Sequence, residues 1–252
     1  MQKGKKAMDT YKDIGKLLSS NEYPGRGIIL GTSPDGTKAV AAYFIMGRSE
    51  NSRNRIFEKR NDEIYTKAFD ESKMEDPSLI IYAAVRKSGN SLIVTNGDQT
   101  DTIYDFLESG RSFEEALDTR EFEPDAPNFT SRISGVAVLD KDSYRYKLSI
   151  LKALDKDGSS CGRFVYGYEK AAGIGHFIHT YRENGSPLPA FEGEPVAIAT
   201  GDSAREFAEY IWGSLNNENK ISLYVRYTDI ETGEYTETLI NKNGQEAASE
   251  RI

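Results

Sequence analysis

The chain has 252 residues and a formal net charge of −8, because 40 acidic side chains outnumber 32 Lys and Arg. This charge disfavours nucleic acids and anionic membranes as partners, although a few arginines in one cleft can still bind a small anion. The single cysteine, Cys161, excludes a disulfide within the chain and a zinc site built on thiolates. No run of about 18 apolar residues predicts a transmembrane helix. No apolar segment follows the basic residues near Met1, so we expect a cytoplasmic protein.

Short strands separated by turn residues dominate the first hundred residues. Residues 1–22 are polar and indicate a leader with a short helix at Asp13–Leu18. Apolar or alternating runs then predict three hairpins, with strands at Arg26–Thr32 and Ala39–Met46, Asn54–Lys59 and Ile64–Phe69, and Leu79–Val85 and Ser91–Thr95. Because each pair is joined by turn residues, we predict one antiparallel meander.

Helices and further strands follow. We predict helices at Asp101–Glu108 and after a capping box of Ser112 and Glu115, and a later helix that begins at Ser203 with a second capping box, to Glu206. Strands are predicted at Ile133–Leu139, Tyr144–Leu151, Arg163–Tyr168, Ile174–Tyr181, Ser222–Thr228 and Tyr235–Ile240. Strands in blocks, rather than alternating singly with helices, predict an α+β fold of two stacked antiparallel sheets covered by helices. No linker is evident, so residues 23–252 are predicted to form one domain.

Two polar segments are candidates for binding a small anion. Gly47–Arg55 contains three arginines and two asparagines between strands, which suits a phosphate monoester but equally suits a solvated loop. Thr95–Asp101 places an Asn-Gly turn before a helix, which is typical of an anion pocket. Ordinary capping of that helix by Asp98 or Thr100 explains the same residues.

Two further features have both a functional and a structural interpretation. Glu121–Ile133 is a long loop with acids, amides and Arg132, and loops on rigid scaffolds often carry function. Solvation explains the same acids. Tyr82 and Arg86 lie four residues apart on a predicted strand, so we expect them on the same face, where they could bind a ligand together. Core or cross-strand packing equally explains a tyrosine in a strand.

The two histidines and the cysteine do not indicate a catalytic or metal site. His176 and His179 are three apart on a predicted strand and therefore face opposite sides, so they cannot share a metal ion. Cys161 lies in a turn-like segment without a neighbouring histidine, which favours a passive thiol. The sequence thus predicts no metal.

Six short motifs occur in a fixed order along the chain: Gly47-Arg48-Ser49 with Asn54-Arg55, Pro77–Tyr82, Val94–Asp101, Asn128–Ile133, Thr180-Tyr181 and Phe191–Pro195. Each motif alone is weak. Together, from about Tyr23 to Leu215, they resemble the archaeal-type IMP cyclohydrolase family.

This resemblance implies a fold, a reaction and a set of site residues. The fold is the four-layer α-β-β-α sandwich of N-terminal nucleophile hydrolases, used without the usual nucleophile. The reaction closes 5-formamidoimidazole-4-carboxamide ribotide to IMP with loss of water, the last step of de novo purine synthesis, and needs no cofactor. A homo-oligomer is also implied. The implied substrate-binding residues are Arg48, Ser49, Asn54, Arg55 and Arg132, and the catalytic ones are Tyr82, Asn96 and Glu123, with Glu123 handling protons.

Two departures from the family pattern leave alternatives open. The segment between Arg48 and Arg55 is longer than in the family, so Arg53 can take the place of Arg55. Gln99 stands where the family has a histidine, which leaves a related ribotide open as the substrate. A catalytically silent purine-nucleotide-binding module and an amide hydrolase of the same fold are the alternative functions. The hydrolase is disfavoured because no Thr, Ser or Cys after Met1 is placed to act as a processed nucleophile.

Overall fold

The computed structural model describes residues 11–73, 81–140 and 143–244. In these ranges the helices are α1 (Ile14–Ser20), α2 (Glu50–Arg53), α3 (Gln99–Glu108), α4 (Phe113–Asp118) and α5 (Ala204–Ser214), with a 3₁₀ turn at Glu71–Lys73. The strands are β1 (Arg26–Thr32), β2 (Lys38–Met46), β3 (Arg55–Arg60), β4 (Glu63–Ala68), β5 (Ala83–Ser88), β6 (Ser91–Thr95), β7 (Arg132–Asp140), β8 (Ser143–Ala153), β9 (Cys161–Glu169), β10 (Ile174–His179), β11 (Val196–Ala199), β12 (Lys220–Asp229) and β13 (Tyr235–Asn241). Residues 1–10 of the predicted leader and residues 79–80 of the predicted fifth strand lie outside the described residues.

The strands form two antiparallel sheets, as predicted. One sheet has six strands in the order β11-β10-β1-β2-β12-β13, and the other has seven strands, β3 to β9, in chain order. The prediction of a single meander is wrong, because β2 pairs with β12 instead of β3. The first hairpin therefore belongs to one sheet and the next two belong to the other. Turn residues identify a hairpin but not the sheet that it joins.

Three apolar clusters explain how the layers hold together. The first lies between the sheets and combines residues of both, including Ile28, Leu30, Tyr43, Ile64, Val94 and Ile133. In the second, α1 and α5 pack on the six-stranded sheet through Ile14, Leu18, Phe207 and Ile211. In the third, Ile103 of α3 and Leu117 of α4 pack on Ile93 and Val136 of the seven-stranded sheet. Each fully buried side chain of this kind stabilises the fold by about 1.5–3 kcal/mol.

The first residues of the helices follow the predicted capping chemistry only in part, because the box predicted for Ser203 and Glu206 forms one of its two bonds. Ser112 and Glu115 form the predicted capping box of α4, and the Ser203 side chain accepts a hydrogen bond from the backbone N–H of Glu206. Asp98, which precedes α3, makes no side-chain cap bond. Its carboxylate instead contacts two arginines, and Thr100 bonds to its own turn. The prediction that Asp98 or Thr100 caps α3 is therefore wrong.

The described part of the predicted leader packs onto the rest of the fold. Asp13 caps α1, and Lys12 bridges to Ile198 at the edge of the six-stranded sheet. Ile14 and Leu18 lie in the cluster that α5 covers. The division at residue 22 stays a prediction. Within the described ranges, no helix is long and apolar enough to cross a membrane.

Tyr82 and Arg86 point to opposite sides of the sheet, contrary to prediction. Between the pairs Tyr65–Ala83 and Ile64–Val85 the register shifts by one residue, a β-bulge. An extra residue reverses the alternation of side chains, so an even spacing no longer means a shared face. The Tyr82 hydroxyl lies 2.8 Å from that of Tyr43 between the sheets. Arg86 instead pairs with Glu63 and with Asp101 of α3.

Candidate active site

Charged side chains from both sheets meet at the end of the inter-sheet core where β1 and β3 begin. Arg26 opens β1 in the six-stranded sheet, and Arg55 opens β3 in the seven-stranded sheet. Both interact electrostatically with Glu123, which lies in the loop between α4 and β7, and with Tyr82. Arg132, at the start of β7, also acts on Glu123. We call Arg26, Arg55, Tyr82, Glu123 and Arg132 the inter-sheet cluster.

Two cations of the inter-sheet cluster, Arg26 and Arg55, form no ion pair in the described part of the chain, whereas Arg132 is paired with Asp98. Arg55 is buried, and its Nε atom has no hydrogen-bond partner in the described part of the chain. Among the described residues, no ion pair within 4.0 Å joins Glu123 to Arg26 or Arg55. A buried charge without a partner costs free energy, so its retention indicates a site for an anionic or strongly polar ligand.

The pKa values in the cluster are shifted by burial and by the neighbouring charges. Burial raises the pKa of Glu123, an effect opposed by Arg26 and Arg132. Burial lowers the pKa of Arg55, and the nearby charge of Arg26 lowers it further. Burial also raises the pKa of Tyr82, so its hydroxyl stays protonated at neutral pH. The cluster therefore combines a carboxyl suited to proton transfer with a neutral hydroxyl donor and three guanidinium groups.

The loop that carries Glu123 is closed by its own hydrogen bonds. The backbone N–H of Glu123 donates to the carbonyl oxygen of Thr130 at 2.9 Å. The Thr130 N–H donates to Asp125 Oδ1 at 2.6 Å, and the Thr130 hydroxyl contacts the Asp125 carboxylate as well. The same hydroxyl lies 2.7 Å from the hydroxyl of Tyr181, which follows β10. The loop is thus fixed to the six-stranded sheet, which holds Glu123 between the sheets.

Asn96 stabilises the end of this loop, where β7 begins. Its Nδ2 donates to the carbonyl oxygen of Ser131 at 2.9 Å, and its Oδ1 accepts from the N–H of Ile133 at 2.9 Å and from Gln99 Nε2 at 3.0 Å. Both ends of the amide are engaged, and Asn96 is 3% exposed. Asn96 therefore lies beside the inter-sheet cluster and anchors the start of β7.

Arg48 lies at the exposed rim. Its Nη1 donates to Asn184 Oδ1 at 2.6 Å and to the carbonyl oxygen of Gly185 at 2.8 Å. Its guanidinium stands 5.0 Å from the ring centroid of Tyr23, and that ring stacks on Tyr181. Because Tyr23 and Tyr181 also interact with Arg26, these rings connect Arg48 to the cluster.

Ser49 and Asn54 lie in the same segment as Arg48 but serve its local structure. The segment was predicted to be a loop, yet it contains the short helix α2, whose first turn is capped by Ser49. Asn54 is buried and bonds twice to the backbone of Asp70, each time at 2.8 Å. The structure does not bring either side chain into the inter-sheet cluster.

Arg53 and Arg55 have different surroundings. Arg53 Nε donates to the carbonyl oxygen of Gly47 at 3.1 Å, and its Nη2 donates to Asn219 Oδ1 at 3.1 Å. These contacts join the segment to the residues before β12. Of the two, only Arg55 reaches the inter-sheet cluster among the described residues.

Arg26 is the cluster residue that the sequence analysis missed. It is followed by six buried residues of β1, and a lone arginine at the start of so apolar a strand is the signal that points to it. The histidines lie elsewhere, as expected. His176 Nδ1 is 2.7 Å from the Tyr146 hydroxyl, and His179 Nδ1 is 2.8 Å from the carbonyl oxygen of Tyr181. Burial lowers the pKa of each to about 4, so both are neutral at pH 7.

Comparison with known proteins identifies the family. The model of a family described as IMP cyclohydrolase-like protein matches residues 23–233. The chain belongs to the IMP cyclohydrolase-like family. The resemblance carried by the sequence motifs is thereby confirmed.

Two curated members of this family group match part of the chain. The IMP cyclohydrolase of Methanopyrus kandleri is 36% identical over 95 residues, and that of Methanococcus aeolicus is 30% identical over 95 residues. Each match covers 38% of this chain and 46% of the relative. The chain thus spans about half the length of the curated relatives that it matches.

Proposed function

We propose that this protein closes 5-formamidoimidazole-4-carboxamide ribotide to IMP with loss of water, as the last step of de novo purine synthesis. The observation that carries the proposal is the inter-sheet cluster, in which a carboxyl with a raised pKa lies near buried Arg55, whose Nε has no hydrogen-bond partner among the described residues. Membership of the IMP cyclohydrolase-like family and the names of both relatives support the same reaction.

The reaction sets out what the site must do. The carboxamide nitrogen bonds to the formyl carbon of the same molecule, so the protein must hold the ribotide with these two atoms in contact. That nitrogen gives up one proton, and negative charge develops on the formyl oxygen. The oxygen then leaves as water after taking up protons, while the formamido nitrogen loses its hydrogen and forms the new double bond to carbon.

The cluster offers one group for each requirement. Glu123 accepts the proton of the carboxamide nitrogen and returns it to the departing oxygen. Tyr82, held by Tyr43, donates a hydrogen bond to the formyl oxygen, and Arg26 and Arg55 stabilise the charge that develops there. In this proposal Arg132 favours the ionised form of Glu123, and Asn96 positions the start of β7.

Arg48 is proposed to bind the ribotide phosphate, because it is a cation at the exposed rim of the site. We expect Arg48→Ala to raise KM by about 10-fold or more with little change in kcat, since a charged hydrogen bond to phosphate contributes equally in the ground state and the transition state. Steady-state kinetics with varied ribotide concentration provide the measurement. Arg111→Ala, at an exposed arginine before α4, is the control variant. An unchanged KM for Arg48→Ala would place the phosphate elsewhere.

The direct test of the function is turnover. Purified protein is incubated with the formamido ribotide, and formation of IMP is followed by its absorbance and by mass spectrometry. We expect turnover without added metal or cofactor. Tight binding of IMP without turnover would contradict the proposal and favour the silent nucleotide-binding module. A mature N-terminus that begins with Thr, Ser or Cys would favour the amide hydrolase.

The architecture and the assembly are part of the proposal. We propose that the two sheets, with α1 and α5 on one outer face and α3 and α4 on the other, form the four-layer sandwich of N-terminal nucleophile hydrolases within one domain, residues 23–252. We also propose a cytoplasmic homo-oligomer. Exposed Phe164 and Val165 on the edge strand β9 support self-association, which light scattering of the purified protein tests.

A further inference from the structure

The side chain of Gln99 joins three parts of the chain next to the inter-sheet cluster. It is fully buried in the first turn of α3. Its Nε2 donates to Asn96 Oδ1 at 3.0 Å and to the carbonyl oxygen of Ile133 at 3.2 Å. Its Oε1 accepts from Arg132 Nη1 at 2.8 Å. Both ends of the amide are therefore used, one on the backbone of β7 and the other on a cluster cation.

Gln99 holds Arg132 on the side where Glu123 lies. The point at which a side chain on Gly97 would begin is 2.6 Å from Arg132 Nη1, 2.6 Å from Gln99 Oε1 and 3.5 Å from Glu123 Oε1. The three polar groups thus surround one glycine. A β-carbon there would displace them, so the missing side chain of Gly97 is what lets Arg132 approach the carboxyl.

A second acceptor competes for the same guanidinium nitrogen. Asp98 Oδ1 lies 2.6 Å from Arg132 Nη1, and Asp98 Oδ2 lies 2.6 Å from Arg120 Nη2. Asp98 is about half exposed, whereas Gln99 is inside. Without Gln99, Asp98 alone would hold Arg132, and it would do so from the solvent side, where Asp98 also pairs with Arg120.

We propose that Gln99 is a positioning residue of the ring-closing site, an inference that rests on the proposed function. Its carbonyl oxygen keeps Arg132 beside Glu123, and Arg132 in turn keeps that carboxyl able to ionise. A carboxamide neither gains nor loses a proton in water near neutral pH. The hydrogen bond from Arg132 to Gln99 is therefore the same whether Glu123 is protonated or ionised.

The other charges near Glu123 come from separate elements. Arg26 of β1, Arg55 of β3 and Arg132 of β7 each favour its ionised form, and Asp125 of its own loop opposes it. Only Arg132 depends on Gln99 for its position. Replacing Gln99 is thus expected to move Arg132 and to leave Arg26 and Arg55 in place.

Two variants test the proposal. Gln99→Met keeps the length of the side chain but cannot accept from Arg132. We expect kcat to fall about 10-fold, because small displacements of catalytic groups have effects of this order or larger. The acid limb of the kcat profile should move to higher pH by about one pH unit, since an opposite charge is withdrawn from Glu123.

Gln99→His is the rescue variant. A neutral imidazole has one acceptor and one donor nitrogen, so it can replace the carboxamide, whereas the imidazolium cannot accept from Arg132. We expect near wild-type kcat at about pH 8 and a loss near pH 5.5 larger than that of the wild type, because the ordinary pKa of histidine is about 6.5.

The NMR titration of the Glu123 carboxyl in ligand-free wild type and Gln99→Met separates this inference from the proposed function. A higher pKa in the variant supports the positioning role even if the wild type makes no IMP. An unchanged or lower pKa overturns it. A Met variant whose pH profile matches the wild type, with activity reduced only in proportion to folded protein, also overturns it, because that is the behaviour of a purely structural residue.

Discussion

The variant Glu123→Gln is expected to lose about 10³-fold in kcat at neutral pH while it still binds the ribotide. Glutamine keeps the shape of the side chain but cannot accept a proton from the carboxamide nitrogen. Because burial raises the pKa of Glu123, wild-type activity should fall as the pH drops through a value above the ordinary ~4.3 of a glutamate. The variant should lack this limb. Stopped assays from pH 4.5 to 9 on both proteins provide the measurement.

Stability measurements exclude unfolding as the cause of the loss. A carboxyl with a raised pKa binds its proton more tightly in the folded protein than in the unfolded chain. The stability that this contributes is complete below the unfolded pKa and is lost as the pH rises through the folded pKa. Glutamine has no titratable group, so the variant does not lose stability as the pH rises. Tm of Glu123→Gln at pH 7 should therefore equal or exceed that of the wild type. Wild-type turnover in a folded Gln variant would assign the proton transfer to another group.

The variant Arg55→Met is expected to lower kcat by about 10²–10³-fold and to raise Tm. The guanidinium is proposed to stabilise the oxyanion, and removing one such donor has effects of this size. Arg55 is buried and its Nε has no partner in the described residues, so an apolar side chain of similar length removes an unfavourable charge. Kinetics and thermal unfolding of the same preparation test both parts.

Arg53→Met is the matched control, two residues earlier in the chain. Arg53 donates hydrogen bonds to Gly47 and Asn219, so its loss should destabilise the fold by about 1–3 kcal/mol and leave kcat nearly unchanged. The two variants should therefore shift Tm in opposite directions. If Arg53→Met loses kcat and Arg55→Met does not, the assignment of these two arginines is reversed.

The sequence predicted the strands and helices well, because local signals determine them. β1 spans Arg26–Thr32 as expected, and the second and last hairpins differ only by one or two residues at their ends. The short strand β11, Val196–Ala199, was missed because it has too few residues for alternation to be visible. The assignment of hairpins to sheets could not be predicted, since it depends on pairing between β2 and β12, far apart in the chain.

The candidate site was predictable in part. Arg55, Tyr82, Glu123 and Arg132 were named from motifs, and the structure brings them together with Arg26. Asn96 and Asn54 have the residue type of ligand contacts, but neighbouring backbone groups use their amides. A sequence pattern shows which side chains can form hydrogen bonds but not which groups they bond to. It therefore cannot distinguish a side chain that supports the site from one that faces the substrate.

The two sheets contribute opposite walls of the site, with Arg26 on one and Arg55, Tyr82 and Arg132 on the other. Hydrogen bonds hold each sheet together, whereas mainly apolar packing, with a few side-chain contacts such as Tyr43 with Tyr82 and Tyr146 with His176, holds the two sheets in alignment. A small slip of one sheet over the other would separate the arginines while every strand stayed paired. The proposed ring closure therefore depends on the alignment of the two sheets, and mild denaturants should abolish it before they melt the strands.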